Sequence, residues 1–252
     1  MKVLIQAIVS FFVFIVDFVY GNRSYPRFYV LETIARVPYF SYLSVLHLYE
    51  TLGYWRKADL LKLHFAETWN ELHHLLIMES LGGDRYWIDR FVAQHVAVAY
   101  YWVVVLIYML FPSYAYYLME LIEGHAYHTY DEYLKTYEAQ LKAQRAPQVA
   151  INFYRDGDLY MFDEVQTAPD HEFRRPKVDN LYDVFVNIRD DECEHVKTMV
   201  ALQKPEARLT FKSPHTVFEA IAAIAVRRAS PTGEGEASLQ DPTRSLITDK
   251  PD

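Results

Sequence analysis

At 252 residues the chain is long enough to bury one sizeable core, so a single domain is the starting expectation. A hydrophobic content of 52%, with 21 Tyr and 15 Phe, is rich for a domain that meets only water, and a net charge of -8 excludes a nucleic-acid partner held through its phosphates. The single cysteine, Cys193, excludes an intrachain disulfide, and 8 glycines without a regular repeat favour helices over a sandwich or propeller.

Six helices follow from periodicity and punctuation. The first runs from about Val3 to Tyr20 and stops at Gly21-Asn22. Its apolar stretch VLIQAIVSFFVFIV is broken by Asp17 and lacks a small-residue cleavage site behind it, so it does not read as a secretory signal. The second begins near Pro26, carries RFYVLETIARV and continues past Pro38 as another helical piece. The third covers about Arg56 to Ser80 and ends at Gly82-Gly83. The fourth runs from about Asp84 to Phe111 and is cut by Pro112; from Phe91 to Met119 the chain has no Asp, Glu, Lys or Arg. That length suffices to span a bilayer, but Pro112, Gln94, His95 and the glutamates that follow fit an in-plane attachment to one leaflet better; a spanning helix and a wholly buried one remain the alternatives. The fifth helix, Ser113 to about Arg145, carries LMELIEGHAYHTYDEY, and the sixth runs from about Asn180 to Leu202.

Between the last two lies a long segment, 146–176, whose aromatics predict packing on the surface of the helices. So long a connection is unusual in a compact domain. The polar, Pro/Gly/Ser-rich end, 228–252, reads as a disordered tail, leaving 1–227 as the folded domain.

The chemistry sits in WNELHHLL, where Glu71 and His74 share one helical face, and in NIRDDECEH, where Glu192 and His195 repeat the spacing. Glu32 and Glu123 stand isolated in otherwise apolar helical surroundings. One Glu on each of two helices and a Glu-x-x-His on each of two others is the set by which ferritin-like four-helix bundles hold two metal ions. Four carboxylates and two imidazoles suit iron or manganese, and unpaired they would repel one another and protonate. His73 lies off the Glu71 face, and His47, His64, His171 and His215 read as ordinary polar residues. The expected fold is therefore all-α: a ferritin-like four-helix bundle holding a di-iron carboxylate site, with two apolar helices forming a membrane-attachment face.

LET (31–33), NELHH (70–74), IEGHA (122–126) and RDDECEH (189–195) resemble, in type and order, the signature motifs of the alternative oxidases. VLETIARVPYF, FAETWNELHHLLIMESLGG, HAYHTYDEY and NLYDVFVNIRDDECEH look most like the plastid terminal oxidase branch, and the resemblance reaches from the first helix to about His215. It implies a membrane-bound quinol:oxygen oxidoreductase with two iron ions, which reduces dioxygen to water without pumping protons. Carried over, the iron ligands are Glu32, Glu71, His74, Glu123, Glu192 and His195, with Asn70 and Asp191 orienting them. Arg27, Leu31, Ala126 and Thr129 match positions lining the quinol pocket, and Tyr130 matches a residue that donates an electron or hydrogen atom. Mitochondrial members have three consecutive glutamates where only Glu123 remains here; His125 stands in the place of the last and becomes the expected acceptor of quinol protons. The segment before the last ligand helix resembles the plastid-branch insertion.

The resemblance further implies plastoquinol as donor, a thylakoid membrane, attachment to one leaflet and a homodimer. No Ser/Arg-rich transit segment precedes the first helix, which leads to the expectation of a mature, bacterial or phage form. A di-iron monooxygenase acting on a quinone or other lipid-borne substrate would use the same ligands, and a metal-free membrane-attached scaffold is the non-catalytic alternative.

Overall fold

The structure, a computed structural model, describes residues 1–21, 23–54, 56–156 and 176–210. Among these residues every extended element is helical, and the four that carry the Glu and His motifs pack side by side.

Helix α1 (Lys2–Tyr20) is followed by α2 (Ser24–Ala35) and α3 (Val37–Thr51). Proline in the first turn of α2 costs little, because that N–H has no helical partner. Pro38 is different: it has no N–H for the carbonyl four residues back, and the helix is interrupted at Arg36 so that α3 starts afresh with Pro38 in its first turn. Helix α4 (Ala58–Ser80) ends in a turn where Gly82 takes φ 80, a conformation that L side chains rarely adopt. A Cβ on Gly83 would come within 2.8 Å of Tyr29 Cβ, so this glycine lets the end of α4 close against α2.

Helix α5 (Trp87–Leu110) starts three residues later than its expected beginning at Asp84, because Gly82 and the residues after it form the turn. It is fastened to the start of α2 by an ion pair between Arg23 and the buried Asp89. Helix α6 (Pro112–Lys142) begins on the proline that ends α5. A short helical turn, α7 (Gln148–Ile151), runs into a π-helical turn, Asn152–Asp156. Helix α8 (Leu181–Leu202) is capped by Asn180, whose side-chain oxygen accepts from the Asp183 N–H at 3.1 Å. Helix α9 is Pro205–Thr210.

A bridge between Arg145 and Asn180, with the Leu181 N–H donating to the Gln144 carbonyl at 3.0 Å, draws the two ends of the 146–176 segment together. Its early part does more than lie on the surface: Phe153 and Tyr154 are both buried. Residues 157–175 and 211–252, including the expected tail, lie outside the described residues.

Helices α2, α4, α6 and α8 form the bundle, α3 and α5 pack along one side of it, and α1 lies against α6 and α2. Apolar side chains fall into two clusters. One gathers Phe28, Tyr130, Phe185 and Ile188; the other gathers Tyr39, Tyr42, Leu63 and Tyr116. Helices α1 and α5 are each long and apolar enough to cross a membrane by length and composition, yet little of either is buried. Large apolar side chains such as Phe11, Phe14, Phe18, Trp102 and Leu106 are exposed on them, which soluble surfaces rarely tolerate in such number.

Candidate metal centre

Each helix of the bundle contributes its carboxylate to the interval between the two apolar clusters. Glu32 comes from α2, Glu71 and His74 from α4, Glu123 from α6, and Glu192 and His195 from α8, all buried. The three-residue spacing puts each Glu and His on one face of its helix. Donor atoms of Glu32, Glu71, His74 and Glu192 lie within 4.8 Å of one another, and so do those of Glu71, Glu123, Glu192 and His195. The two sets share Glu71 and Glu192. Two overlapping clusters, each of three carboxylates and one imidazole, are the donor set that would hold two metal ions in a ferritin-like bundle.

Both imidazoles turn Nδ1 inward. His74 Nδ1 is 3.1 Å from Glu192 Oε1 and 3.7 Å from both Glu32 Oε2 and Glu71 Oε1. His195 Nδ1 is 2.9 Å from Glu71 Oε1 and 3.6 Å from Glu192 Oε2. The other nitrogen of His74 is held from outside: Nε2 lies 3.1 Å from Asp191 Oδ2. The same oxygen accepts from Asn70 Nδ2 at 2.9 Å and from the Tyr154 hydroxyl at 2.9 Å. A carboxylate behind an imidazole fixes its tautomer and orientation, so Asp191 leaves Nδ1 of His74 to face the cluster.

The electrostatics call for a cation. Burial, and then the neighbouring carboxylates Glu71 and Glu192, hold the Glu32 carboxyl well above the usual range. Burial and Glu192 likewise raise Glu71, and burial with Glu192 and Glu71 raises Glu123. Burial also opposes ionisation of Glu192, but hydrogen bonds from His195 and His74 outweigh it and pull that carboxyl below its ordinary value. Burial works against protonating His74, yet its hydrogen bonds to Asp191 and Glu192 raise it, and Glu192 and Glu71 do the same for His195. Without a metal the cluster is balanced by protons. Glu32 Oε2 and Glu71 Oε2 are buried and meet no hydrogen-bond donor among the described residues, an expensive state for a carboxyl that metal ligation would relieve. The donor set and its unsatisfied oxygens fit a pair of hard or borderline divalent ions.

Two phenols flank the cluster from opposite sides. The Tyr130 hydroxyl donates to Glu32, while its ring stacks on Phe28 at 4.4 Å between centroids. Burial, then the charge of Glu32, raises the Tyr130 phenol, so its proton stays in place. On the other side the Tyr39 hydroxyl donates to Glu123 Oε1 at 2.5 Å. Sequence pattern does not mark Tyr39; its signal is a polar tip in a buried stretch seven residues beyond Glu32.

Of the expected quinol-pocket residues, the structure groups Arg27, His125 and Thr129. Arg27 Nη2 is 2.6 Å from Asp17 Oδ1 of α1, and its Nε is buried with no acceptor among the described residues. Thr129 Oγ1 donates to the His125 carbonyl at 2.9 Å and lies 3.4 Å from His125 Nε2. Burial lowers the His125 imidazole, Arg27 lowers it further and Asp17 opposes them. Ala126 is buried one turn before Tyr130, and Leu31 is half-buried against the Phe28–Tyr130 cluster. His73, off the ligand face as its position predicts, stacks on Phe153 at 4.1 Å.

An all-α bundle that gathers two overlapping carboxylate-rich donor sets between four helices, with two uncovered apolar helices beside it, defines a ferritin-like protein with a candidate dinuclear metal site. The family model described as alternative oxidase matches residues 3–204, and the chain belongs to that family. It is 57% identical over 205 residues to ubiquinol oxidase 4, chloroplastic/chromoplastic, of Arabidopsis thaliana, covering 81% of this chain and 58% of that protein. Against the mitochondrial ubiquinol oxidase of Mangifera indica the identity is 30% over 185 residues, covering 71% of this chain and 50% of that protein. Ubiquinol oxidase 2, mitochondrial, of Glycine max is 28% identical over 180 residues. Within the family the sequence therefore stands with the plastid-type branch. The chain spans less than two thirds of the length of the curated relatives it matches.

Proposed function

We propose that this protein is a quinol:oxygen oxidoreductase, with plastoquinol as donor, that reduces dioxygen to water at a non-haem di-iron centre. The observation that carries the reading is the pair of overlapping donor sets sharing Glu71 and Glu192. Glu32, Glu71, His74, Glu123, Glu192 and His195 would hold two iron ions, which when bound supply the redox chemistry that side chains lack.

The rest falls to the chain itself. Arg27, positioned by Asp17, offers its unengaged Nε to a quinone oxygen as a charge-assisted hydrogen bond. His125, kept neutral by burial, takes a quinol proton at Nε2, with Thr129 beside it. Leu31 and Ala126 give the pocket apolar walls. Tyr130 connects that pocket to Glu32 and serves as the donor of an electron or hydrogen atom. Asn70 and Asp191 keep the ligands oriented.

The exposed apolar faces of α1 and α5 support attachment to one leaflet of a membrane, and the chloroplastic relative supports a thylakoid location. Family membership carries the further expectation of a homodimer. The domain is taken as 1–227, with 228–252 as a polar tail.

The test is oxygen uptake by detergent-purified, iron-loaded protein given a short-tailed quinol, with the organic products analysed alongside. Roughly two quinols should be consumed per dioxygen, with quinone the sole organic product, as a four-electron reduction requires. Oxygen incorporated into the organic product would replace this reading with that of a monooxygenase.

A further inference from the structure

The two phenols beside the metal cluster differ in what stands behind them. Tyr130 has the quinol pocket. Tyr39 has a second set of buried ionisable groups, which belong to neither the quinol pocket nor the donor sets. His64 and Glu67 are wholly buried on α4, two turns and one turn before Glu71 respectively. His64 Nδ1 is 2.8 Å from Glu67 Oε2, and its Nε2 is 3.0 Å from the Tyr116 hydroxyl of α6. The Tyr116 hydroxyl is in turn 2.8 Å from the Tyr108 hydroxyl of α5.

The pattern is unlike that of the neighbouring tyrosines. The hydroxyls of Tyr42 and Tyr49 end on the backbone carbonyls of Ala115 and Met109, where a proton can go no further. In the chain Tyr108–Tyr116–His64–Glu67 every member can both give and accept a proton. Its inner end is open: Glu67 Oε1 is buried and has no donor among the described residues. The Tyr39 ring lies 6.4 Å from that of His64, and its hydroxyl reaches Glu123. At the outer end the half-buried Arg208 of α9 lies 5.9 Å from the Tyr116 ring centre and donates to Ser113 Oγ. An apolar pair of the same volume would be as stable in this core, so a buried acid and imidazole with one oxygen left unsatisfied are poorly explained by stability.

We propose that Tyr108, Tyr116, His64 and Glu67 form a proton relay leading toward the metal cluster past Tyr39, from the side opposite the quinol pocket. It rests on the oxygen-reducing reading, in which water formation consumes protons. A proton is taken up at the buried Tyr108–Tyr116 end, on the side where the half-buried Arg208 stands, one leaves Glu67 toward the cluster, and each member regains its starting state. As many protons enter this way as quinol oxidation releases at its own pocket, so the exchange balances. The groups facing the relay are Tyr39, Tyr42 and Tyr49 from α3, Tyr100 from α5, Glu123 from α6 and Arg208 from α9.

The test uses full-length, iron-loaded protein and the variants Glu67→Gln, Glu67→Asp and His64→Gln, whose replacements keep hydrogen bonds but not, in the two Gln cases, the proton transfer. Both Gln variants should keep wild-type iron content, melting temperature and quinol KM. Their kcat should fall about tenfold or more, as expected for loss of a proton-transfer group, with an altered pH profile and solvent isotope effect. Glu67→Asp should recover part of the rate. Infrared spectra of wild type, reduced minus oxidised, should contain a carboxyl band that Glu67→Gln lacks. Wild-type kcat, isotope effect and infrared difference in both Gln variants would overturn the relay. Should those variants lose iron, Tyr108→Phe at the far end decides: slowed turnover supports the relay and unchanged turnover refutes it. If wild-type protein itself oxidises no quinol, the functional reading fails, and the infrared difference after chemical reduction still judges the relay.

Discussion

Replacing Asp191 by Asn changes no volume and keeps the backbone of α8, yet it removes the charge on which three groups converge. Asp191 Oδ2 takes hydrogen bonds from Asn70, Tyr154 and His74 at 2.9, 2.9 and 3.1 Å. An amide oxygen offers two lone pairs and no charge, so at least one of these buried donors is stranded, at a cost of about 1–3 kcal/mol in folding stability. The larger effect falls on the metal. With its partner neutral, the His74 ring is less basic and less firmly oriented, and losses of this kind reduce metal affinity roughly 10–100-fold, or about 1.4–2.8 kcal/mol. The assay is competition for iron against a chelator, followed by thermal unfolding. Asp190→Asn, the exposed neighbour paired with Arg189, is the control and should match wild type. Superimposable chelator titrations for Asp191→Asn and wild type would refute the assignment of Asp191 as the group that aims His74.

Asp17→Asn weakens the tie between α1 and Arg27, so the quinol KM should rise severalfold while iron content and quinol-independent properties stay put; an unchanged KM would detach Arg27 from the pocket. Removing the metal should invert the dependence of stability on pH. Glu32, Glu71, Glu123, His74 and His195 all have folded values above their ordinary ones, so their contribution is present at low pH and is lost as pH rises through those values, with Glu192 acting in the opposite sense. Metal-free protein should therefore melt at lower temperature as pH rises from mildly acidic to neutral, and the iron-loaded protein should not.

The ligand set was legible in the sequence because helical geometry turns a spacing into a face. Glu71 with His74, and Glu192 with His195, can only project together, and an acid amid VLETIARV or LMELIEG has no cheap structural use. Punctuation by Gly21, Pro112 and Gly82 placed most helix ends. The groups behind the ligands were harder to read. His64 and Glu67 look like ordinary polar residues, since their buried state depends on α3 packing along α4 and on the tyrosines that α5 and α6 bring beside His64. Tyr39 was hidden for the same reason. Tyr154 sits in a segment that reads as surface packing, and a contact to Asp191 across 37 residues has no periodic signature. Pairings between helices are decided by tertiary packing, which a one-dimensional pattern does not contain.

The two donor sets share Glu71 and Glu192, and that sharing couples their occupancy. The first ion to enter must displace the proton that burial favours on Glu71 and draw the four helices into register around both common carboxyls. The second then meets two ligands already ionised and already placed, so it binds more tightly than the first. Loading should be sigmoidal, with half-filled protein scarce at every metal concentration. A cell short of iron would then hold a mixture of complete and empty centres, in place of a population of singly loaded ones able to meet dioxygen with one electron to give.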